Sequence, residues 1–282
     1  MIAVRKALSI GSKKLNQRGI ENSLFESKLL IKNILKISDE DLIYSSELVL
    51  SEFQYATFHS FLDRREKFEP MAYILNKKEF WKDTFYINNS TLIPRPDSEI
   101  IIEMIFNIIP NKDKKIKFID LGTGSGCLII SLLNEYKYSE GIGIDSSKAA
   151  IHVANKNKNL LSNNQRLNFK LADFSTFETG EFDVVLCNPP YVSKNEINNM
   201  QIEITSYEPH QAIFADEGGL IHYKRIIQNL RKKGKCGQKV LFEIGFGQTE
   251  DVSNMLKNND FKITHIKDDI SGIPRCIAAE KI

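Results

Sequence analysis

The segment Asn188-Pro189-Pro190-Tyr191 follows the apolar run 182–187 and carries the chain's clearest arrangement of groups for chemistry. Neither proline has a backbone N–H, and the residue before a proline is held in an extended conformation. We therefore expect the Asn188 side chain and nearby carbonyls to project as fixed acceptors. These would hold a planar NH2 group by its two hydrogens, with the Tyr191 ring stacked on its face. The pattern favours N-methylation of an amide or exocyclic amine, although an ordinary strand exit at a proline turn has the same appearance.

A glycine-rich segment lies between a strand-like run, 116–121, and an apolar helix-like run, 127–133. Its residues are Gly122, Thr123, Gly124, Ser125 and Gly126. Glycines in such a turn let the backbone approach a ligand closely. Asp145 ends the next strand-like run about 20 residues later, where a ribose-binding carboxylate is expected. The GxGxG spacing differs from GxGxxG and no GK[ST] follows, so the pattern disfavours NAD and ATP and favours S-adenosylmethionine.

Asp173 and Phe174 follow a third strand-like run, 168–171, and are candidates for the same nucleoside site. The carboxylate would accept from the amine of an adenine, and the ring would stack on its face. The same two residues in a plain loop would have no ligand.

Two prolines, Pro94 and Pro96, fix a rigid approach to a helix predicted over 100–109. They place Arg95 and Glu99 near the start of that helix. Charged residues on a rigid loop often border an active site, so Arg95 is a candidate for contact with the substrate.

The composition of the 282 residues, with 42% hydrophobic and 26% charged, suits one large domain and one smaller domain. No apolar run approaches the roughly 20 residues of a membrane span, and we expect a cytoplasmic protein that binds no membrane. The net charge of +2 does not demand a nucleic-acid partner. The four cysteines form no CxxC pair and the five histidines no HExxH pattern, so we expect no metal site.

The pattern of apolar residues predicts three segments. Residues 1–68 have helical spacing, with a helix start at Ser51 and a buried stripe. The stripe is expected to contain Phe53, Phe58, Phe61 and Leu62. The pattern over residues 69–90 predicts a β-hairpin linker. The pattern over residues 91–282 predicts a doubly wound α/β domain. Its last two strand-like runs, 261–266 and 275–279, lack a helix between them and predict a closing hairpin with one antiparallel strand.

The chain resembles the HemK family of protein-(glutamine-N5) methyltransferases, in particular its release-factor-modifying PrmC branch. The resemblance spans nearly the whole chain, and its motifs occur in the family's order. They are Glu69-Pro70-Met71-Ala72-Tyr73-Ile74-Leu75, Glu79-Phe80-Trp81, Leu92-Ile93-Pro94-Arg95-Pro96-Asp97, Asp120-Leu121-Gly122-Thr123-Gly124-Ser125-Gly126, Asn188-Pro189-Pro190-Tyr191 and Glu243-Ile244-Gly245. The chain departs from the family at Asn76, where glycine is common, and in the loop 235–237, which is usually richer in glycine.

The resemblance implies transfer of a methyl group from S-adenosylmethionine to the glutamine side chain of the GGQ motif in peptide-chain release factors. Asn188 and the Pro189 carbonyl would hold the amide, within an acceptor site that includes Pro190, Tyr191 and Arg95. Asn188 would also touch the cofactor. We expect a monomer that does not bind nucleic acid directly.

Two alternatives share the acceptor turn. Sister enzymes that methylate a ribosomal-protein glutamine usually have serine-proline after the proline-arginine pair, where this chain has Pro96-Asp97. A nucleic-acid methyltransferase would present a flipped base amine to the same turn. The chain lacks the strongly basic module that such an enzyme needs to hold phosphates, which disfavours the second alternative.

Overall fold

The protein is described by a computed structural model that covers residues 1–44, 48–161 and 165–282. The α-helices are α1 Val4–Asn16, α2 Ser23–Leu35, α3 Asp39–Tyr44, α4 Glu52–Arg65, α5 Met71–Leu75, α6 Glu99–Ile108, α7 Cys127–Glu135, α8 Lys148–Leu161, α9 Ile202–Tyr207, α10 Ile221–Lys233 and α11 Thr249–Lys257. The strands are β1 Ile2–Ala3, β2 Val49–Leu50, β3 Lys77–Phe80, β4 Asp83–Tyr86, β5 Lys117–Leu121, β6 Glu140–Asp145, β7 Leu167–Leu171, β8 Val184–Cys187, β9 Val192–Ser193, β10 Phe214–Ala215, β11 Lys239–Glu243, β12 Phe261–Asp268 and β13 Pro274–Lys281.

The described residues divide into two compact units. The first contains Met1–Asn76 together with Gln201–Tyr207, and the second contains Lys77–Met200 and Glu208–Ile282. The predicted hairpin is present as β3 and β4, and it belongs to the second unit. The division at residues 68 and 90, with the hairpin as a linker, stays a prediction.

Helix α4 illustrates how the first unit builds its core. It begins after Ser51, as the sequence predicted, and the structure shows a capping box there in which the Ser51 hydroxyl accepts from the Gln54 N–H. Phe58 and Leu62 are fully buried and Phe61 is half-buried. The prediction for Phe53 is wrong, because its side chain is 81% exposed. Five residues turn a helix by about 140° beyond a full turn, which places Phe53 away from the face of Phe58.

The departure at Asn76 has a conformational explanation. Asn76 ends helix α5 in the left-handed region, with φ of 52°. Glycine adopts this conformation without steric cost, and asparagine is the residue that most readily replaces it there. The turn is therefore retained although the glycine is absent.

A charged cluster ties the segment Gln201–Tyr207 into the first unit. The Arg65 guanidinium donates to Glu26 Oε2 at 2.6 Å and to Glu203 Oε1 at 2.7 Å. Only 5% of the Arg65 side chain is exposed. Because a buried charge is costly without partners, the two carboxylates and the guanidinium must occur together.

The second unit contains the predicted doubly wound sheet. The described residues place its strands in the order β12-β13-β11-β8-β5-β6-β7. Strands β11, β8, β5, β6 and β7 are parallel, and β13 runs antiparallel to both β11 and β12. The closing hairpin is thus confirmed. Helices α6 and α7 pack on one face of the sheet, and α10 and α11 pack on the other.

The four cysteines are free thiols in different surroundings. Cys187 and Cys276 are buried, Cys127 is half-buried and Cys236 is exposed. Burial raises the pKa of Cys127 to about 12, and it also raises the pKa values of Cys187 and Cys276. Among the described residues, no helix has both the length and the apolar character needed to cross a membrane.

Replacing Arg65 by methionine should destabilise the first unit. The change leaves Glu26 buried without its cation, which typically costs about 3–5 kcal/mol in the free energy of unfolding. The matched control is Arg64→Met, which removes a more exposed pair with Glu69 and should cost about 1 kcal/mol or less. Urea unfolding followed by circular dichroism at pH 7 measures both changes. Equal losses for the two variants would contradict the role given to the Arg65 cluster.

Candidate active site

The carboxyl ends of the central parallel strands meet in one row. Leu121 on β5 is in register with Ile144 on β6 and with Cys187 on β8. Cys187 is also in register with Phe242 on β11. The next residue along each strand therefore belongs to the same edge of the sheet. These residues are Gly122, Asp145, Asn188 and Glu243.

A pocket opens at this edge and combines most of the residues predicted for the cofactor with part of the acceptor turn. Its lining includes Arg95, Gly122, Thr123, Gly124, Ser125, Asp145, Phe174, Asn188 and Pro190. It also includes Ser98, which sequence reasoning did not assign. Pro189, Tyr191, Gly126 and Asp173 are not part of this lining as the described residues define it.

The glycine-rich loop contributes open space. Gly122 and Gly124 have φ of +76° and +54°, and a Cβ built on either would have no atom within 4 Å. Gly126 differs, because its Cβ would come 2.9 Å from the Phe169 ring. The N–H groups of Gly122 and Thr123 donate to the Ile144 carbonyl. The loop thus offers close approach to a ligand at Gly122 and Gly124, whereas Gly126 serves the packing of the loop on the sheet.

Asp145 is held rigidly at the end of β6. Its Oδ2 accepts from the Gly124 N–H at 2.9 Å, and its Oδ1 accepts from the Ser147 N–H at 2.8 Å. Burial raises the pKa of Asp145, and the backbone N–H groups oppose that shift. Each carboxylate oxygen keeps acceptor capacity beyond one hydrogen bond, so Asp145 can still accept from the hydroxyl groups of a ligand.

Asp120 lies behind the loop and is fully enclosed. The Thr123 hydroxyl donates to Asp120 Oδ2 at 2.6 Å. The pKa of Asp120 is raised to about 7, chiefly by burial; the Thr123 hydrogen bond lowers it and the charge of Asp145 raises it. A raised pKa means that the protonated form of Asp120 is favoured by its surroundings, and a cation bound nearby would favour the ionised form.

The acceptor turn begins at Asn188, directly after β8. Asn188 Nδ2 donates to Ser98 Oγ at 3.1 Å, and Ser98 is almost fully buried in the turn before α6. One hydrogen of the side-chain NH2 group is therefore used by Ser98, and the oxygen Oδ1 remains available as an acceptor. An acceptor in that place suits a ligand that carries an NH2 group.

Tyr191, the last residue of the turn, is anchored at both ends. Its hydroxyl donates to Glu243 Oε1 at 3.1 Å, and its carbonyl accepts from Gln248 Nε2 at 3.0 Å. Burial raises the pKa of the Tyr191 hydroxyl. The ring packs against the core between the sheet and α10 and α11. Stacking of Tyr191 on an acceptor group stays a prediction.

Arg95 is fixed in the pocket wall by Glu208. Its Nη2 donates to Glu208 Oε1 at 2.5 Å, and Oε2 of the same carboxylate accepts from the Ile93 N–H at 3.0 Å. The Glu208 side chain is 1% exposed. A buried carboxylate with both oxygens used holds the segment 93–95 in one position.

Phe174 borders the pocket and also a neighbouring cavity, which Asp173, Ser146 and Pro190 line as well. The Phe174 ring meets His222 edge to face, with 5.5 Å between ring centroids. Asp173 is exposed and accepts from both the backbone N–H and the hydroxyl of Ser175 through Oδ1. Asp173 and Phe174 thus line the same neighbouring cavity. Their contact with an adenine stays a prediction.

Three residues that form hydrogen bonds with predicted site residues were not themselves predicted from the sequence. Ser98, Glu208 and Glu243 are all at most 4% exposed. Glu243 had a usable signal, since an acid at the end of an apolar strand resembles Asp120 in the earlier strand. Ser98 and Glu208 reach their partners over 90 and 113 residues of sequence, and no local pattern indicates such contacts.

Comparison with known proteins gives matches along most of the chain. Residues 6–75 match the profile of the PrmC N-terminal domain, and residues 112–262 match that of a methyltransferase domain. A release factor glutamine methyltransferase of Thermodesulfovibrio yellowstonii is 34% identical over 91% of this chain and 92% of its own length. A bifunctional methyltransferase of Rickettsia typhi is 34% identical over 99% of this chain. The chain spans 58% of the length of that rickettsial relative.

Solved structures agree on the fold. The hMettl16 catalytic domain, in complex with the MAT2A 3'UTR hairpin 6, matches with a TM-score of 0.59 and 16% identity over 84% of each chain. At this identity the likeness concerns the fold alone.

The pocket fits S-adenosylmethionine, the cofactor of this methyltransferase fold. The space above Gly122 and Gly124 would be filled by a side chain on either residue, which explains glycine there. Asp145 has acceptor capacity left for ribose hydroxyls, and Phe174 offers an aromatic face.

Replacing Asp120 by asparagine should stabilise the protein in a pH-dependent way. A folded pKa of about 7 lies above the ordinary value of 3.8, so the folded state binds the proton more tightly and wild-type stability falls as pH rises between these values. The variant lacks this loss, so its free energy of unfolding should exceed that of wild type by up to about 4 kcal/mol at pH 8 and by little at pH 4. Urea unfolding at both pH values measures the difference. Asp260→Asn, at an exposed acid, is the control, and a pH-independent gain at Asp120 would contradict the prediction.

Replacing Asp145 by alanine should weaken S-adenosylmethionine binding. The change removes the acceptors assigned to the ribose hydroxyls, at a cost of about 1 to 3 kcal/mol in binding free energy. Calorimetric titration measures the affinity, and circular dichroism checks the fold. The control is Asp251→Ala, at an exposed acid of α11. Unchanged affinity in a folded Asp145→Ala protein would mean that the cofactor lies elsewhere.

Proposed function

Because this chain belongs to the release factor glutamine methyltransferase family, we propose that it methylates the side-chain nitrogen of the GGQ glutamine in peptide-chain release factors. The family relation supports the substrate, and the acceptor turn supports the chemistry. The observation that carries the proposal is the hydrogen bond from Asn188 Nδ2 to Ser98 Oγ, which leaves the Asn188 oxygen as an acceptor for an incoming NH2 group.

The reaction needs positioning more than acid or base strength. An amide nitrogen is a weak nucleophile because its lone pair is delocalised into the carbonyl. Asn188 Oδ1 and the Pro189 carbonyl accept the two amide hydrogens and so hold the nitrogen in one orientation. The same contacts stabilise the positive charge that develops on the nitrogen as it is methylated.

S-adenosylmethionine supplies an electrophilic methyl group carried on a sulfonium. Asp145 holds the ribose hydroxyls, the space at Gly122 and Gly124 admits the ligand, and Phe174 with Asp173 contacts the adenine. After methylation the amide nitrogen loses one proton to water, so the site requires no strong general base. This agrees with an acceptor turn built from an asparagine and prolines.

The segment Pro94-Arg95-Pro96-Asp97 supports release factors over the ribosomal-protein alternative. The resemblance distinguishes the two branches at the residues after Arg95. In this chain Pro94 and Arg95 line the pocket, and Glu208 fixes Arg95 there. The difference between the branches therefore falls beside the acceptor site, where it bears on the choice of substrate.

The helical segment, residues 1–68, is assigned to recognition of the folded release factor. Phe25 and Phe53 in this segment expose 62% and 81% of their surface. Exposed aromatic side chains are typical of protein contacts. We further propose that the enzyme works in the cytoplasm, where release factors act, and that it is a monomer without direct contact to nucleic acid.

Mass spectrometry of a purified release factor tests the function. After incubation with the enzyme and S-adenosylmethionine, the peptide that contains GGQ should gain one methyl group on the glutamine. A release factor whose GGQ glutamine is replaced by alanine is the control and should gain none. A methyl group on RNA, DNA or a ribosomal protein, with none on the release factor, would overturn the proposal.

Replacing Asn188 by alanine should abolish methyl transfer while cofactor binding persists. The loss of one contact that stabilises transition-state charge costs about 3 kcal/mol or more, roughly a hundredfold in rate. Single-turnover kinetics and calorimetry measure the two properties. Asn259→Ala is the matched control, because the Asn259 side chain donates to the Met255 carbonyl of α11 and is not in the pocket lining. A wild-type rate in Asn188→Ala would remove Asn188 from the mechanism.

A further inference from the structure

Gln248 uses both polar atoms of its side chain on backbone groups around the acceptor turn. It lies directly before α11. Its Oε1 accepts from the Gly245 N–H at 3.0 Å. Its Nε2 donates to the Tyr191 carbonyl at 3.0 Å and to the Gly218 carbonyl at 3.4 Å. One amide thus joins the end of the acceptor turn to the turn after β11 and to the loop before α10.

The three partners fix the direction of the Gln248 amide. A backbone N–H can only donate, and a backbone carbonyl can only accept. The oxygen of Gln248 must therefore face Gly245, and its nitrogen must face Tyr191. A reversed amide would place donor against donor and acceptor against acceptor.

The residue type at this position is not explained by the helix that follows. Short polar side chains are preferred directly before a helix, because they accept from the N–H groups of its first turn. Among the described residues, the Gln248 side chain makes no such bond to α11. A longer amide is what the neighbouring segments require, since it reaches across to Tyr191.

Two glycines enclose the contact between Gln248 and Tyr191. A Cβ built on Gly219 would lie 2.0 Å from the Tyr191 carbonyl oxygen and 2.6 Å from Gln248 Nε2. A Cβ built on Gly245 would lie 2.8 Å from Gln248 Oε1 and 3.0 Å from the Tyr191 ring. Backbone therefore packs directly on the hydrogen bond from both sides, and a larger residue at either position would displace it.

The acceptor turn depends on anchors at its two ends, because neither of its prolines has an N–H to donate. At the first end, Cys187 is paired in the sheet with its neighbours on β5 and β11. At the second end, the peptide group between Tyr191 and Val192 is held on both sides. Its carbonyl accepts from Gln248, and its N–H donates to the Ile213 carbonyl at 3.0 Å.

We propose that Gln248 is a positioning residue for methyl transfer, which holds the acceptor turn in place through the Tyr191 carbonyl. Gln248 is not in the pocket lining as the described residues define it, so it acts through the turn and not on the ligand. The inference rests on the proposed function for the reaction that the turn serves. The anchoring of Tyr191 is a property of the protein alone, and it can be measured without a substrate.

Two variants remove the anchor in different ways. Gln248→Met keeps a side chain of similar length and removes its hydrogen bonds. Gln248→Asn keeps the amide but shortens its reach by one methylene, and asparagine is a favoured residue before a helix, so α11 should not be weakened. The matched control is Gln238→Met. The Gln238 amide also donates to two backbone carbonyls, those of Thr179 at 2.7 Å and Phe182 at 2.9 Å, and it too lies outside the pocket lining.

Kinetics separate positioning from folding. Single-turnover measurements at saturating release factor should show a rate reduced roughly 10- to 100-fold in both Gln248 variants, with cofactor affinity within about twofold of wild type. Gln238→Met should keep the wild-type rate although its melting temperature falls. A wild-type rate in either folded Gln248 variant would overturn the inference. So would a loss of rate in Gln238→Met as large as that in Gln248→Met.

Nuclear magnetic resonance of protein labelled at its valine nitrogens gives the readout that needs no substrate. The Val192 N–H signal, assigned by its loss in Val192→Ile, reports on the peptide group that Gln248 holds. It should shift and exchange faster with solvent in both Gln248 variants and stay unchanged in Gln238→Met. An unchanged Val192 signal in both Gln248 variants would overturn the inference. If wild type leaves the release factor unmodified while the Val192 signal responds as expected, the substrate assignment fails and the anchoring role of Gln248 stands.

Discussion

The parallel register of four neighbouring strands is the constraint on which the site depends. Hydrogen bonding between β6, β5, β8 and β11 aligns their carboxyl ends, so that the residues that follow fall in one row. A shift of one residue in any strand would turn its side chains to the opposite face of the sheet and move its terminal residue out of the row. The glycine-rich loop, Asp145, the turn at Asn188 and Glu243 are therefore positioned by backbone pairing, before any side chain contributes.

Buried acids beneath the site oppose folding and favour ligand binding. Asp120 and Glu243 are each 1% exposed, and burial raises the pKa of both. Such groups lower stability in the absence of a cation. A cation bound in the pocket would provide a compensating charge. Selection for stability alone would replace them with neutral residues.

Local patterns predicted what local interactions determine. The strands before Gly122, Asp145 and Asn188, the helix start at Ser51 and the closing hairpin depend on neighbours in sequence, and all were predicted. The prediction that Phe53 is buried was wrong, because the spacing of five residues from Phe53 to Phe58 places the two side chains on different faces of α4. Ser98 and Glu208 could not be assigned, since their partners lie about a hundred residues away and only the folded chain brings them together.

The distribution of thiols provides an accessible site for chemical labelling. Reagents attack the thiolate, and burial keeps Cys187 and Cys276 both inaccessible and protonated near neutral pH. The high pKa of Cys127 has the same effect on that residue. Cys236, exposed in the loop before β11, is left as the natural attachment point for a fluorophore or a spin label. A probe can therefore be added to the native sequence at one place, on the far side of β11 from the residue that anchors the acceptor turn.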